Sequence, residues 1–135
     1  GCGPTCLTMA YLYFTQDTSV NPRTMAEYAY DNGYYTAEGT SWSLWTEGAE
    51  ALGLQGEVLP LDENSMEKVL DGGGLIVCSM RPGDFTTTGH FILIKGYDDK
   101  GFFINDPNRR SHSQRQWSYS DLSRQIKNLW GLWAQ

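Results

Sequence analysis

Three cysteines, two histidines and sixteen carboxylates make up most of the reactive chemistry open to this chain. Cys2 and Cys6 lie four residues apart, with Gly3 and Pro4 between them. Proline is tolerated in the first turn of a helix, and Leu7, Met9, Ala10, Tyr13 and Phe14 then recur at helical spacing. The spacing predicts a buried helix that begins near Cys2 or Gly3. A cysteine at a helix mouth faces unpaired amides of partial positive charge, which favour thiolate over thiol. Cys2 has that position and reads as a nucleophile. Cys6, a turn further in among apolar neighbours, reads as an inert packing thiol. Cys78, inside the apolar run Leu75–Met80, reads the same way.

A nucleophilic thiolate works with a histidine, and the histidine with an acceptor that orients it. His90 opens a strand-like run behind Gly89, which allows close backbone approach there. His112 lies in the polar stretch "NRRSHSQRQ" and reads as a surface residue. Asp106, in "INDPN", is the candidate orienter, although an aspartate before proline is also ordinary turn chemistry. The runs flanking "YDDKG" read as a hairpin. Centred on Asp99, that hairpin sets Gly96 opposite Phe102 and Ile92 opposite Asp106. Asp106 and His90 then share a face as diagonal neighbours, roughly 7–8 Å apart at Cα. A one-residue slip would turn them to opposite faces and make Asn105 the orienter.

Other readings of these residues are weaker. A zinc site built from Cys2, Cys6 and a histidine lacks a fourth ligand and the usual two-cysteine knuckle spacing. A Cys2–Cys6 disulfide within one helical turn has poor geometry. The Gly72-Gly73-Gly74 run has no lysine at phosphate-loop spacing and reads as a turn into a strand. No metal or other cofactor is expected.

The elements that must position these groups follow from caps and periods. A length of 135 residues suits one domain, residues 1–135. Asn21 and Pro22 start a second helix that Asn32 and Gly33 stop. A third helix is predicted over residues 40–53, capped by Thr40 or Ser41. A fourth is capped by Asp62, with residues 65–70 as its body. At Gly74 the period changes: Leu75–Met80, the hairpin, a short helix in "SYSDLSRQI" and a closing strand in "LWGLWA" follow. Helices first and strands after give an α+β fold, an N-terminal helix packed on an antiparallel sheet. The loop "RPGDFTTTG" leads into His90 and is expected to border a cleft. The tryptophans read mostly as core, with some available to line a groove.

A net charge of −6 argues against nucleic acid as the main partner. The one local basic cluster, Asn108-Arg109-Arg110, reads as a solvated loop. No apolar run approaches the roughly 20 residues of a membrane span. The chain begins at Gly1 without an initiator methionine, so removal of an upstream segment is expected.

The stretches "GCGPTCLTMAYLYF", "GHFILIKGYDDKGFFINDPN" and "WSYSDL" together resemble the C39-like, papain-type cysteine peptidases of bacteria. The resemblance covers nearly the whole chain. It implies a papain-like fold in which the cysteine before Gly-Pro, Cys2, is the nucleophile, His90 the base and acid, and Asp106 the orienter. The backbone amides of Cys2 and Gly3 are candidates to hold the oxyanion. The family also carries a glutamine a few residues ahead of its cysteine, and no such residue precedes Gly1 here. Slow peptide hydrolysis by the chain as it stands, or none, with the rate restored by upstream extension, is therefore expected. The implied activity is cleavage of a peptide bond in a peptide or protein substrate. A related acyl transfer to an amine, or a silent peptide-binding domain, would fit the same fold. The family implies a secreted or envelope location, with the cytoplasm still open; oligomeric state is not indicated.

Overall fold

A computed structural model describes residues 2–135. Helix α1 (Cys2–Thr15) starts where Pro4 predicts, and it buries Cys6, Leu7 and Ala10 on one side. Helix α2 (Pro22–Asp31) is held by a capping box. Asn21 Oδ1 accepts the Thr24 N–H at 2.9 Å, and Thr24 Oγ1 accepts the Asn21 N–H at 3.1 Å. Past the expected stop at Asn32 and Gly33 comes a ribbon of two short strands, β1 (Tyr35–Thr36) and β2 (Gly39–Thr40).

The helix expected over residues 40–53 is instead two pieces. A 3-10 turn (Trp42–Trp45), capped by Ser41, is followed by α3 (Glu47–Ala51). Between them Thr46 lies at φ −114°, ψ −81°, outside helical geometry. Trp45 is fully buried, with its ring 5.3 Å from Phe91 and 6.2 Å from Trp130. Burying that ring overrides local helix propensity. Strand β3 (Leu54–Val58) comes next. Its Gly56 is needed, because a Cβ there would meet the Trp45 carbonyl oxygen at 1.9 Å. Helix α4 (Glu63–Asp71) is capped by Asp62, which accepts the Ser65 N–H at 2.9 Å.

The remaining elements are β4 (Leu75–Met80), β5 (His90–Asp98), β6 (Gly101–Asn105), α5 (Arg110–Ser113), β7 (Gln116–Trp117), α6 (Tyr119–Ser123) and β8 (Ile126–Ala134). The sheet has six strands in the order β3-β8-β4-β5-β6-β7, and each neighbouring pair is antiparallel. The expected α+β architecture is the observed one, with β3 and β7 added at the edges. Strand β4 is buried along its whole length. Leu75 and Val77 pack with Cys6, Leu7, Phe91 and Trp130; Ile76, Cys78 and Met80 pack with Met66, Trp117 and Leu122. Elements cover both faces, so β4 is a continuous apolar run rather than an alternating one.

The β5–β6 hairpin carries the register on which the site depends. At its tip Asp98 pairs with Gly101, Tyr97 with Phe102 and Gly96 with Phe103. That is one residue away from the expected pairing of Gly96 with Phe102. A bulge between Ile94 and Gly96 then sets Lys95 aside, and Ile94 pairs with Ile104 and Leu93 with Asn105. Below the bulge the expected register is recovered, and His90 and Asp106 lie on one face.

Candidate active site

The site forms where the mouth of α1 meets the first residues of β5. Cys2 is the first residue of α1, half-buried, and its Sγ accepts the Phe91 N–H at 3.4 Å. Gly3 beside it is buried under the β1–β2 ribbon. A Cβ at Gly3 would lie 2.5 Å from Thr40 Oγ1, so glycine lets the ribbon close over the start of the helix. His90 opens β5 opposite Met80 and is 4% exposed. Asp106 follows the last residue of β6, with its side chain fully buried.

His90 Nε2 and Asp106 Oδ1 are 2.6 Å apart. The same Oδ1 accepts the Asn108 N–H at 2.9 Å, which closes the Asp-Pro-Asn turn on itself. The Asp106 N–H donates to Ser113 Oγ at 2.8 Å. Asn105 is the last residue of β6, opposite Leu93; Asp106, not Asn105, is the residue hydrogen-bonded to His90. Nε2 of His90 is committed to Asp106, so Nδ1 is the nitrogen left to serve the Cys2 thiol, with which the ring interacts electrostatically. The Asn108 carboxamide nitrogen lies 3.4 Å from that Nδ1.

These contacts set the charges. Burial raises the Cys2 thiol, but the hydrogen bond to His90, the Phe91 N–H and the imidazolium charge outweigh it and bring the thiol below its ordinary range. Burial lowers His90, yet hydrogen bonds to Cys2 and Asp106, and then their negative charges, raise it above an ordinary imidazole. Burial also raises Asp106, and hydrogen bonds from His112, from the Asn108 N–H and from His90 bring it below the usual carboxylate range. The three shifts favour a thiolate beside an imidazolium, oriented by an ionised carboxylate.

Cys2 and His90 line a cleft of about 350 Å³. One wall is the β1–β2 ribbon with Tyr35, Glu38 and Trp42; the other is Ser79, Thr88 and Gly89. The loop before β5 therefore borders the cleft through Thr88 and Gly89, as its place ahead of His90 predicts. Gln125, buried beneath that loop, holds it in place. Its Oε1 accepts the Asp84 N–H at 2.7 Å, and its Nε2 donates to Asp84 Oδ2 at 3.0 Å and to the Asp121 carbonyl at 2.8 Å.

Two neighbours of the site escape sequence reasoning. His112, read as a surface residue, is half-buried, and its Nδ1 lies 2.7 Å from Asp106 Oδ2. Asn108, read as part of a solvated basic loop, supplies the Asp106 turn and the contact to His90 Nδ1. The Asp-Pro-Asn sequence is a signal for the turn. Nothing in the spacing of His112 signals its partner.

A model of the peptidase C39-like family matches residues 1–134. The chain belongs to that family. Two solved structures share its fold. One is the peptidase domain of Streptococcus ComA, a bi-functional ABC transporter of a quorum-sensing pathway. It is 18% identical with a TM-score of 0.71, over 99% of this chain and 91% of that one. The other is a candidate C39-like peptidase from Bacillus anthracis, 16% identical with a TM-score of 0.66, over 100% of this chain and 89% of that one. At these identities the likeness is one of fold. A search of curated proteins finds no match. Among the described residues, this C39-like domain has no helix long and apolar enough to cross a membrane.

Proposed function

We propose that this C39-like domain is a cysteine peptidase that cleaves a peptide bond through Cys2, His90 and Asp106. The reading rests on one observation: His90, 2.6 Å from a buried aspartate, stands beside a thiol at a helix mouth that opens into a cleft. The Cys2 thiolate attacks the carbonyl carbon, and the backbone N–H groups of Cys2 or Gly3 donate to the oxygen as it gains charge. The tetrahedral intermediate collapses to a thioester, the C–N bond breaks, and His90 Nδ1 gives its proton to the leaving amine. Water then attacks the thioester while Nδ1 takes a proton back. The acid leaves and the thiolate–imidazolium pair is restored. Asp106 keeps Nε2 as the donor end of the ring throughout.

Incubation of the protein with a mixed peptide pool, read by mass spectrometry, tests this. New termini are expected, and one equivalent of iodoacetamide on Cys2 should abolish them. An added amine that appears in the product in place of water would assign the acyl transfer instead. Peptides left unchanged by the upstream-extended chain as well, or loss of cleavage on labelling Cys6 or Cys78 rather than Cys2, would refute the proposal.

A further inference from the structure

We propose that His112 is a positioning residue of this site, the far end of a His–Asp–His chain in which Asp106 is held by both of its oxygens. The catalytic consequence rests on the peptidase reading above; the geometry does not.

Asp106 Oδ1 takes His90 Nε2 at 2.6 Å, and Oδ2 takes His112 Nδ1 at 2.7 Å. The carboxylate is fully buried and the His112 side chain is 13% exposed. An ionised carboxylate only accepts hydrogen bonds. Both imidazoles must therefore donate to it, which fixes the proton of His112 on Nδ1 and that of His90 on Nε2. Without His112, Oδ2 would be a buried charged oxygen with no donor, an arrangement that costs stability and lets the carboxyl group turn. A turned carboxyl group would loosen Oδ1, and with it the ring whose other nitrogen serves Cys2. Among the contacts that bring Asp106 below the usual carboxylate range against burial, the His112 hydrogen bond is the leading one.

The ring of His112 is itself held. Phe85, from the loop before β5, meets it edge-on at 5.1 Å; Trp117, from β7, meets it at 5.3 Å and 89°. The Trp117 Nε1–H donates to the His112 carbonyl at 2.9 Å. Of the three side chains against the ring, Asp106 is the charged one. The aromatic corner orients the donor and the carboxylate receives it, an arrangement that a residue used for packing alone would not need.

His112→Phe keeps the ring and removes the donor. His112→Asn returns an N–H near the position of Nδ1. The probe is iodoacetamide, with the alkylation rate of Cys2 followed against pH and mapped by mass, together with kcat and KM on a peptide the wild type cleaves. In His112→Phe the alkylation curve should move to higher pH, and the rate at acidic pH should fall about tenfold, as expected for one lost hydrogen bond to a charge. kcat should fall by a similar factor with KM unchanged. His112→Asn should recover most of both, and His112→Phe should add nothing to Asp106→Asn. An unmoved alkylation curve in His112→Phe would overturn the proposal. So would an equal loss in His112→Asn with an equal fall in melting temperature, which is the result for packing alone, or a full additional loss on top of Asp106→Asn. Alkylation needs no turnover, so a protein that cleaves nothing even when extended upstream would sink the peptidase reading while the alkylation curve still decided the role of His112.

Discussion

Cys2 and Cys6 stand one turn apart on α1, and both sulfurs touch Phe91. Cys2 takes the Phe91 N–H at 3.4 Å; Cys6 points its S–H at the Phe91 carbonyl at 3.5 Å. An N–H stabilises a thiolate, and a carbonyl stabilises a thiol. Cys2 is half-buried on a cleft beside His90, and its acidity is increased. Cys6 is fully buried, and burial together with the nearby charge of Cys2 raises it well above an ordinary thiol. The Phe91 peptide groups thus offer a donor to one cysteine and an acceptor to the other. Burial raises both thiols; at Cys2 the His90 ring and the Phe91 N–H outweigh it, and at Cys6 no lowering contact among the described residues opposes it.

The largest expected effect tests the two ends of that contrast. Cys2→Ala should lower peptide turnover by on the order of 10⁴-fold or more. A comparable loss in Cys6→Ala with Cys2→Ala active would reverse the comparison. Next, Asp106→Asn should cut kcat by roughly 10²–10⁴-fold, because the amide no longer accepts from both imidazoles at once; a change below about twofold would remove Asp106 from the chain. The third test is the pH dependence of alkylation. The thiolate is the species that reacts, and folding lowers the Cys2 pKa, so in the native protein the Cys2 curve should lie at lower pH than in urea. His90→Ala should move it upward, since the surviving burial raises the thiol. Cys6 should stay unlabelled until the protein unfolds; native labelling of Cys6 across the same range would break the comparison. The smallest effect is that of Cys6→Ala, which should cost about 1 kcal/mol in urea unfolding and leave turnover within about twofold.

Much of the site is legible in the sequence because its signals are local. Pro4 after Cys2, Gly89 before His90 and the Asp-Pro-Asn turn each report their own backbone geometry. The hairpin register is legible only in part. A count outward from Asp99 passes over the bulge that sets Lys95 aside between Ile94 and Gly96, so it misaligns the tip and still aligns the end that matters. The split at Thr46 and strand β3 depend on where Trp45 is buried, which is a long-range outcome. His112 lies beyond reach for the same reason, since its partners Asp106, Phe85 and Trp117 meet only in the fold.

The buried amide of Gln125 has a consequence for motion at the cleft. Loops open locally in units set by the contacts that hold them. Here Asp84 and the Asp121 carbonyl are fastened to one side chain, so the rim and the short helix α6 share a release point. The Asp84 N–H is freed when that amide lets go. Hydrogen exchange at Asp84 therefore reports the release of that amide, and Gln125→Ala should speed it while buried Phe85 still anchors the same loop.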